Sequence, residues 1–176
     1  MNKMKKLFST IESISRIMGW LGFVLTAGLT LMYTIDVIGR FFFNQQMKGT
    51  FELAQFFLCL ITFSAFSFAQ TARSHIHVGF IARHFKNKFK YCLAGVSFSL
   101  CTLICAIVTY CLWQQGTSSI GIKLTQVLTL PYAPIYYAAS IFMAIFTLVI
   151  FTDVIRSVMA LKGDEEAKAV IDKVYE

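Results

Sequence analysis

Charged side chains are scarce in this chain. They make up 14% of the 176 residues, against about 25% in an ordinary soluble domain. Asp36 is the only charged residue between Arg16 and Arg40, and three longer runs contain none: 53–72, 91–122 and 124–152. A helix of about 20 apolar residues crosses the hydrocarbon core of a bilayer. The deficit therefore excludes a soluble domain and predicts an integral membrane protein.

The uncharged runs predict an all-α membrane protein with four transmembrane helices. They do not alternate between apolar and polar residues, which argues against a membrane β-barrel. Both prolines, Pro131 and Pro134, stand before the body of the last helix and break none of the four. The four-helix membrane domain is expected over 1–161, followed by a short charged tail over 162–176. The helices are predicted at 17–39, 51–72, 91–114 and 134–155.

The positive charges predict which way the protein faces. They are concentrated before the first helix and between the second and third, where 73–90 holds five Lys or Arg residues and no acid. Cytoplasmic loops carry the excess of Lys and Arg. We therefore expect cytoplasmic N- and C-termini and an uncleaved first helix. The same distribution explains the net charge of +7 without a nucleic-acid partner.

The tryptophans and the five cysteines fit this topology. Trp20 is expected near the inner end of the first helix and Trp113 near the outer end of the third, at the interfacial depth that aromatic rings favour. All five cysteines fall in the predicted helices. No charge lies nearby to stabilise a thiolate in hydrocarbon, so we interpret them as small packing residues and expect no cofactor.

The first two helices each carry a stripe rich in small and polar residues at steps of three and four, which keeps them on one face. The first stripe is Gly19, Gly22, Thr26, Leu29, Tyr33, Asp36 and Arg40, and the second is Glu52, Gln55, Cys59, Thr62, Phe66, Gln70 and Arg73. In lipid, such faces turn towards protein. A second small face on helix two suggests neighbours on both sides. The stripe members taken as structural or partner-interface candidates are Asp36, Arg40, Glu52, Gln55, Gln70 and Arg73, with His75 just beyond them.

Asp36, Arg40 and Glu52 are the ionisable candidates within the first two helices. Asp36 and Arg40 are four residues apart and can pair on one helix, and Glu52 opens helix two, where its charge suits the helix dipole. All three are expected near the outer membrane surface. An anchor or partner contact is favoured over an ion or proton site, because transporters place such sites near mid-membrane.

The segment 72–86 holds every histidine of the chain. His75 and His77 have no third ligand nearby, so a metal site is not expected. Arg73 and His75 can cap the carbonyl groups that end helix two. Basic residues beside a membrane attract anionic lipid headgroups, and the headgroup candidates are Arg83, Lys86, Lys88 and Lys90.

Three stretches, "DVIGRFFFN", "GTFELAQFFL" and "ARSHIHVGF", together with four helices and inside termini, resemble a known family. This is the small membrane subunit (Q-type) of the TRAP transporters, the tripartite ATP-independent periplasmic systems. Arg40, Glu52, Arg73, His75 and Val78 match the family pattern, whereas Asp36 and His77 are not mapped onto it.

The resemblance implies a non-enzymatic accessory subunit in the bacterial inner membrane. In this family a much larger membrane subunit carries the substrate and sodium sites. A periplasmic binding protein delivers an organic acid such as a dicarboxylate, a keto acid or sialic acid. The small subunit is expected to form a heterodimer with the large one, to brace it, and to help dock the binding protein, with no substrate or ion site of its own.

Two other classes of small helical membrane protein compete with this interpretation. A haem or quinone anchor of a respiratory complex needs histidines within facing helices, and no predicted helix here contains one. A small self-assembling exporter needs an acidic residue within a helix, for which Asp36 or Glu52 would have to serve.

Overall fold

Four long helices form the protein in the computed structural model. It describes residues 2–71, 87–122, 124–162, 164, 165 and 168, and only the backbone for 2–7 and 87–90. In chain order the helices are α1 (Asn2–Phe43), α2 (Thr50–Thr71), α3 (Asn87–Ser118) and α4 (Ala133–Leu161). The predicted all-α fold with four membrane-spanning helices is confirmed, since all four are long and apolar enough to cross a membrane.

Three of the four helices are longer than predicted, and α2 has the predicted length. α1 begins at Asn2 rather than at Ile17 and continues for 42 residues, about 60 Å at 1.5 Å per residue. Part of this extension packs on other helices, since Ser15 is completely buried, whereas Ser9 and Ser13 are exposed. α4 continues six residues past Ile155 to Leu161, which brings Arg156 into the helix.

The helices pack as two pairs, α1 with α2 and α3 with α4, joined by contacts of α4 with α2 and with α1. The apolar core lies between α3 and α4, where Tyr91, Ala94 and Phe98 meet Met143 and Phe146. In α4, 44% of the most apolar stretch is buried, against 17% in each of the other helices. Lipid or another protein must therefore cover most of α1, α2 and α3.

Glycine brings α1 and α2 close together. A Cβ atom on Gly19 would lie 2.5 Å from Cδ2 of Phe68, and one on Gly22 would lie 2.8 Å from Oγ of Ser64. These distances leave no room for a side chain, which explains two glycines in a helix where each costs about 1 kcal/mol relative to Ala. The part of the predicted α1 stripe that holds Gly19 and Gly22 therefore faces α2.

The α1–α2 connection and the α3–α4 linker lie at the same end of the bundle, opposite the N-terminus of α1. Both fold back against the helices. In the α1–α2 turn, Gly49 has a φ of +80° and packs against the Leu128 side chain, which a Cβ atom would overlap. Leu128 belongs to a tight turn over 124–131, closed by the Thr125 amide donating to the Leu130 carbonyl at 2.9 Å. Neighbouring side chains stay exposed: Ile120, Ile122, Leu124 and Val127.

Candidate functional site: two polar clusters and the surface they leave open

Two groups of polar side chains lie at opposite ends of the bundle. The loop-end cluster is formed by Asp36, Arg40, Thr50 and Glu52. The three-helix cluster is formed by Glu12, Gln70, Asp153 and Arg156. Each cluster contains hydrogen bonds between elements that are far apart in sequence. The clusters therefore help to fix how the helices pack and which apolar faces stay exposed.

Asp36 organises the turn between α1 and α2. Its side chain is buried, and one carboxylate oxygen accepts from the Arg40 guanidinium at 2.5 Å. The other accepts from the Met47 amide at 3.0 Å and from the Thr50 hydroxyl at 3.3 Å. The two side chains expected to pair on one helix are therefore in contact. The turn takes its shape from the buried carboxylate, whose charge has both a cationic partner and hydrogen-bond donors.

Glu52 holds a segment far from its own helix. It stands in the first turn of α2, as the sequence indicates, but its carboxylate reaches the 124–131 turn. Its Oε1 accepts from the Val127 amide at 2.8 Å, and its Oε2 accepts from the Leu128 amide at 2.9 Å. A charge-assisted contact of this kind is stronger than a neutral one. It fixes the turn over the end of α2, a role that the sequence did not reveal.

The three-helix cluster was not predicted from the sequence. The Gln70 side-chain amide donates to Oδ2 of Asp153 at 2.8 Å, linking α2 to α4. Arg156 lies 3.6 Å from Oδ1 of Asp153 and donates to Oε1 of Glu12 at 2.7 Å, linking α4 to α1. Its guanidinium also lies 4.8 Å from the centre of the Phe8 ring, a cation–π distance.

Hydroxyl groups near the three-helix cluster link α1 directly to α2. Ser15 donates to the Ser67 carbonyl at 2.5 Å and accepts from the Thr71 hydroxyl at 2.7 Å. Both serines are completely buried. Polar groups buried away from water need such partners, and the contacts define how the long α1 lies along α2.

The remaining predicted stripe residues are not buried within the chain. Gln55 and Thr62 on α2 are exposed, as are Thr26 and Tyr33 on α1. In the described part of the chain no hydrogen-bond partner lies beside the Gln55 amide. Exposed apolar side chains lie one helical turn from these positions on the same faces: Leu58 beside Gln55 and Thr62 on α2, and Val37 beside Tyr33 on α1. This exposed face of α1 and α2 is the candidate partner-binding surface.

Several sequence candidates lie outside the described residues. Arg73, His75, Arg83 and Lys86 are among them, while Lys88 and Lys90 lie in the first turn of α3, where only the backbone is described.

The two tryptophans are placed as exposed side chains. Trp20 lies beside Phe23, with the ring centres 6.1 Å apart, and Trp113 lies 4.9 Å from the Tyr137 ring. The Trp113 contact joins α3 to α4. Both rings are therefore free to meet lipid or a partner.

The clusters are built for structure rather than for binding a small ligand. The Asp36, Glu52 and Asp153 carboxylates all accept hydrogen bonds from within the chain. No group of three or more His, Cys, Asp or Glu side chains converges within the described ranges.

Replacing Glu52 with Gln should release the 124–131 turn. An amide offers one acceptor oxygen where the carboxylate offers two, so one backbone N–H loses its partner, at a cost of about 1–3 kcal/mol. Hydrogen exchange at Val127 and Leu128 should accelerate about fivefold or more in the purified chain. Thr62→Val, on the exposed face of the same helix, should leave these rates unchanged. Equal exchange rates in the unaltered chain and in Glu52→Gln would contradict the assigned role.

Removing the Arg156 charge should weaken the bundle, because the Asp153 and Glu12 carboxylates would lose a cation that contacts both of them. We expect Arg156→Gln to lower the free energy of unfolding in mixed detergent micelles by about 3 kcal/mol, the lower end for breaking a buried pair. Adding Asp153→Asn to the Arg156→Gln variant should restore part of the lost free energy of unfolding. Lys168→Gln, which breaks a surface pair with Glu165, should have a far smaller effect, because water screens exposed charges. Equal losses in the two single variants would refute the buried-pair assignment.

Comparison with known protein families identifies the chain. A search of curated proteins found no match. The family model described as "Tripartite ATP-independent periplasmic transporters, DctQ component" matches residues 29–160. The match covers well over half of the chain, including the loop-end cluster and nearly all of α4. The chain therefore belongs to the DctQ family, whose members are components of the TRAP transporters.

Proposed function

We propose that this chain is the small accessory membrane subunit of a sodium-coupled TRAP transporter that imports an organic acid of the dicarboxylate, keto acid or sialic acid class. It braces a much larger membrane subunit in a heterodimer and helps to dock the periplasmic binding protein. It has no substrate or ion site of its own. It lies in the bacterial inner membrane with both termini in the cytoplasm.

The absence of charge from the middle of every helix supports an accessory rather than a transporting role. Residues 17–35 of α1, 53–71 of α2, 91–118 of α3 and 133–152 of α4 contain no charged side chain. Each helix is also continuous across its apolar stretch. Transporters place ionisable groups or helix breaks near mid-membrane to bind their substrates and ions.

The exposed faces support a large membrane partner. Only 17% of the most apolar stretch is buried in α1, α2 and α3. Gln55 adds to the exposed face an amide that has no partner among the described residues. A polar side chain on a membrane helix gains stability when a neighbouring helix offers it a hydrogen bond. We assign this face of α1 and α2 to the large subunit.

The loop-end cluster supports a role in docking. It fixes the α1–α2 turn and the 124–131 turn against one another at the end of the bundle assigned to the periplasmic side. A rigid surface loses less conformational entropy when a partner binds. The exposed side chains of Ile120, Ile122 and Val127 supply apolar contact there.

The experiment that tests the proposal is co-expression with a TRAP large membrane subunit and a periplasmic binding protein from the same genome. Purification in mild detergent through a tag on this chain should yield the large subunit in equal amount. Glu52→Ala should lower both the recovered large subunit and substrate uptake about fivefold or more, since it leaves two amides unpaired at about 1–3 kcal/mol each. Arg40→Ala should act in the same direction but less, because half of the Arg40 side chain is exposed.

The matched control is Lys162→Ala, at an exposed position just after α4, which should leave both measurements unchanged. Two results would contradict the proposal. One is that the tagged chain purifies only as a homodimer while the large subunit is present in the same membranes. The other is that assembly and uptake are untouched in both Glu52→Ala and Arg40→Ala.

A further inference from the structure

A groove between α1 and α2 combines one cation with aromatic walls. It has a volume of 410 Å³ and is lined by Arg16, Trp20 and Phe23 of α1 and by Phe68 and Thr71 of α2. It lies at the end of the bundle that holds the three-helix cluster, since Thr71 also donates to Ser15. Neither polar cluster uses Arg16 or Trp20.

Arg16 has no carboxylate partner in the part of the chain that the structure describes. The acid one turn earlier, Glu12, lines a neighbouring surface pocket with Arg16, but its carboxylate is engaged by Arg156 at 2.7 Å. A guanidinium presents several donors in a plane that matches a phosphate group. The Arg16 charge is therefore available for an anion from outside the chain.

The rest of the groove suits an acyl chain. Trp20 is 69% exposed and Phe23 is 64% exposed, with their ring centres 6.1 Å apart. Phe68 forms the opposite wall where Gly19 lets the two helices approach. Trp favours the depth at which headgroups meet acyl chains, and Arg16 stands at the edge of the uncharged run of α1, from which a long side chain can reach the headgroup layer.

We propose that this groove binds an anionic phospholipid, with the phosphate on Arg16 and the first part of an acyl chain against Trp20, Phe23 and Phe68. The apolar walls select a lipid over a free phosphate ion, and the cation selects an anionic lipid over a zwitterionic one. The site does not depend on which transporter the chain serves.

Trp20 provides a direct readout. The chain has two tryptophans, so Trp113→Phe leaves Trp20 as the only one. This full-length variant is reconstituted in phosphatidylcholine bilayers containing a minor fraction of bromine-labelled phosphatidylglycerol or, separately, bromine-labelled phosphatidylcholine, because bromine quenches a tryptophan that it touches. One basic residue contributes about 1 kcal/mol to anionic-lipid binding, about a fivefold preference. Labelled phosphatidylglycerol should quench Trp20 at about one fifth of the labelled phosphatidylcholine concentration.

Arg16→Gln in the same background should abolish that preference and leave the two lipids equal. Lys162→Gln, which removes an exposed cation elsewhere, should keep it, and inorganic phosphate should not reverse the quenching. The proposal is overturned by equal quenching with Arg16 present, by a preference that survives Arg16→Gln, or by reversal with inorganic phosphate. Trp20 that neither lipid quenches would also overturn it, since protein would then fill the groove.

Discussion

The contacts of Arg156 with Asp153 and Glu12 hold three of the four helices in one arrangement. Gln70 brings α2 to the Asp153 carboxylate, and Glu12 brings α1 to the Arg156 guanidinium. Without these contacts the α1–α2 pair and the α3–α4 pair would be joined mainly by apolar packing, which is weakly directional in lipid because lipid chains offer similar contacts. The paired charges therefore give the bundle a defined geometry.

The cost of placing a charge in hydrocarbon explains why both polar clusters lie towards the helix ends. Burying an ion in hydrocarbon costs several kcal/mol unless it is paired and hydrogen-bonded. At the ends, Asp36 has Arg40, Met47 and Thr50 as donors, and Glu52 has two backbone amides. The middles of the helices are left to apolar and small residues. A chain built in this way presents broad apolar faces, which the proposed accessory role requires.

The sequence predicts the parts of this structure that depend on local pattern. Four uncharged runs identify four helices because the cost of charge in lipid acts on every residue of a span. Asp36 and Arg40 are four residues apart, so their contact follows from helix geometry alone. The contact of Glu52 with Val127 and Leu128 depends on how the linker 115–133 folds, and no local pattern encodes that.

The contact between Glu12 and Arg156 was missed for a related reason. Glu12 precedes the predicted first helix at 17–39, and Arg156 follows the predicted fourth at 134–155. Both helices extend past these bounds, and part of each extension packs against other helices, since Ser15 and Ser157 are completely buried. Their contact joins residues 144 positions apart, and only the packing of whole helices brings them together.

The central claim is that this chain supports transport without carrying it out. Purified chain alone, large subunit alone, and the two together are reconstituted in separate proteoliposomes, and binding-protein-dependent substrate uptake is measured with a sodium gradient imposed. The account predicts uptake only where both subunits are present, with no flux from this chain by itself. Sodium- or proton-driven uptake by this chain alone, or full uptake by the large subunit without it, would contradict the account.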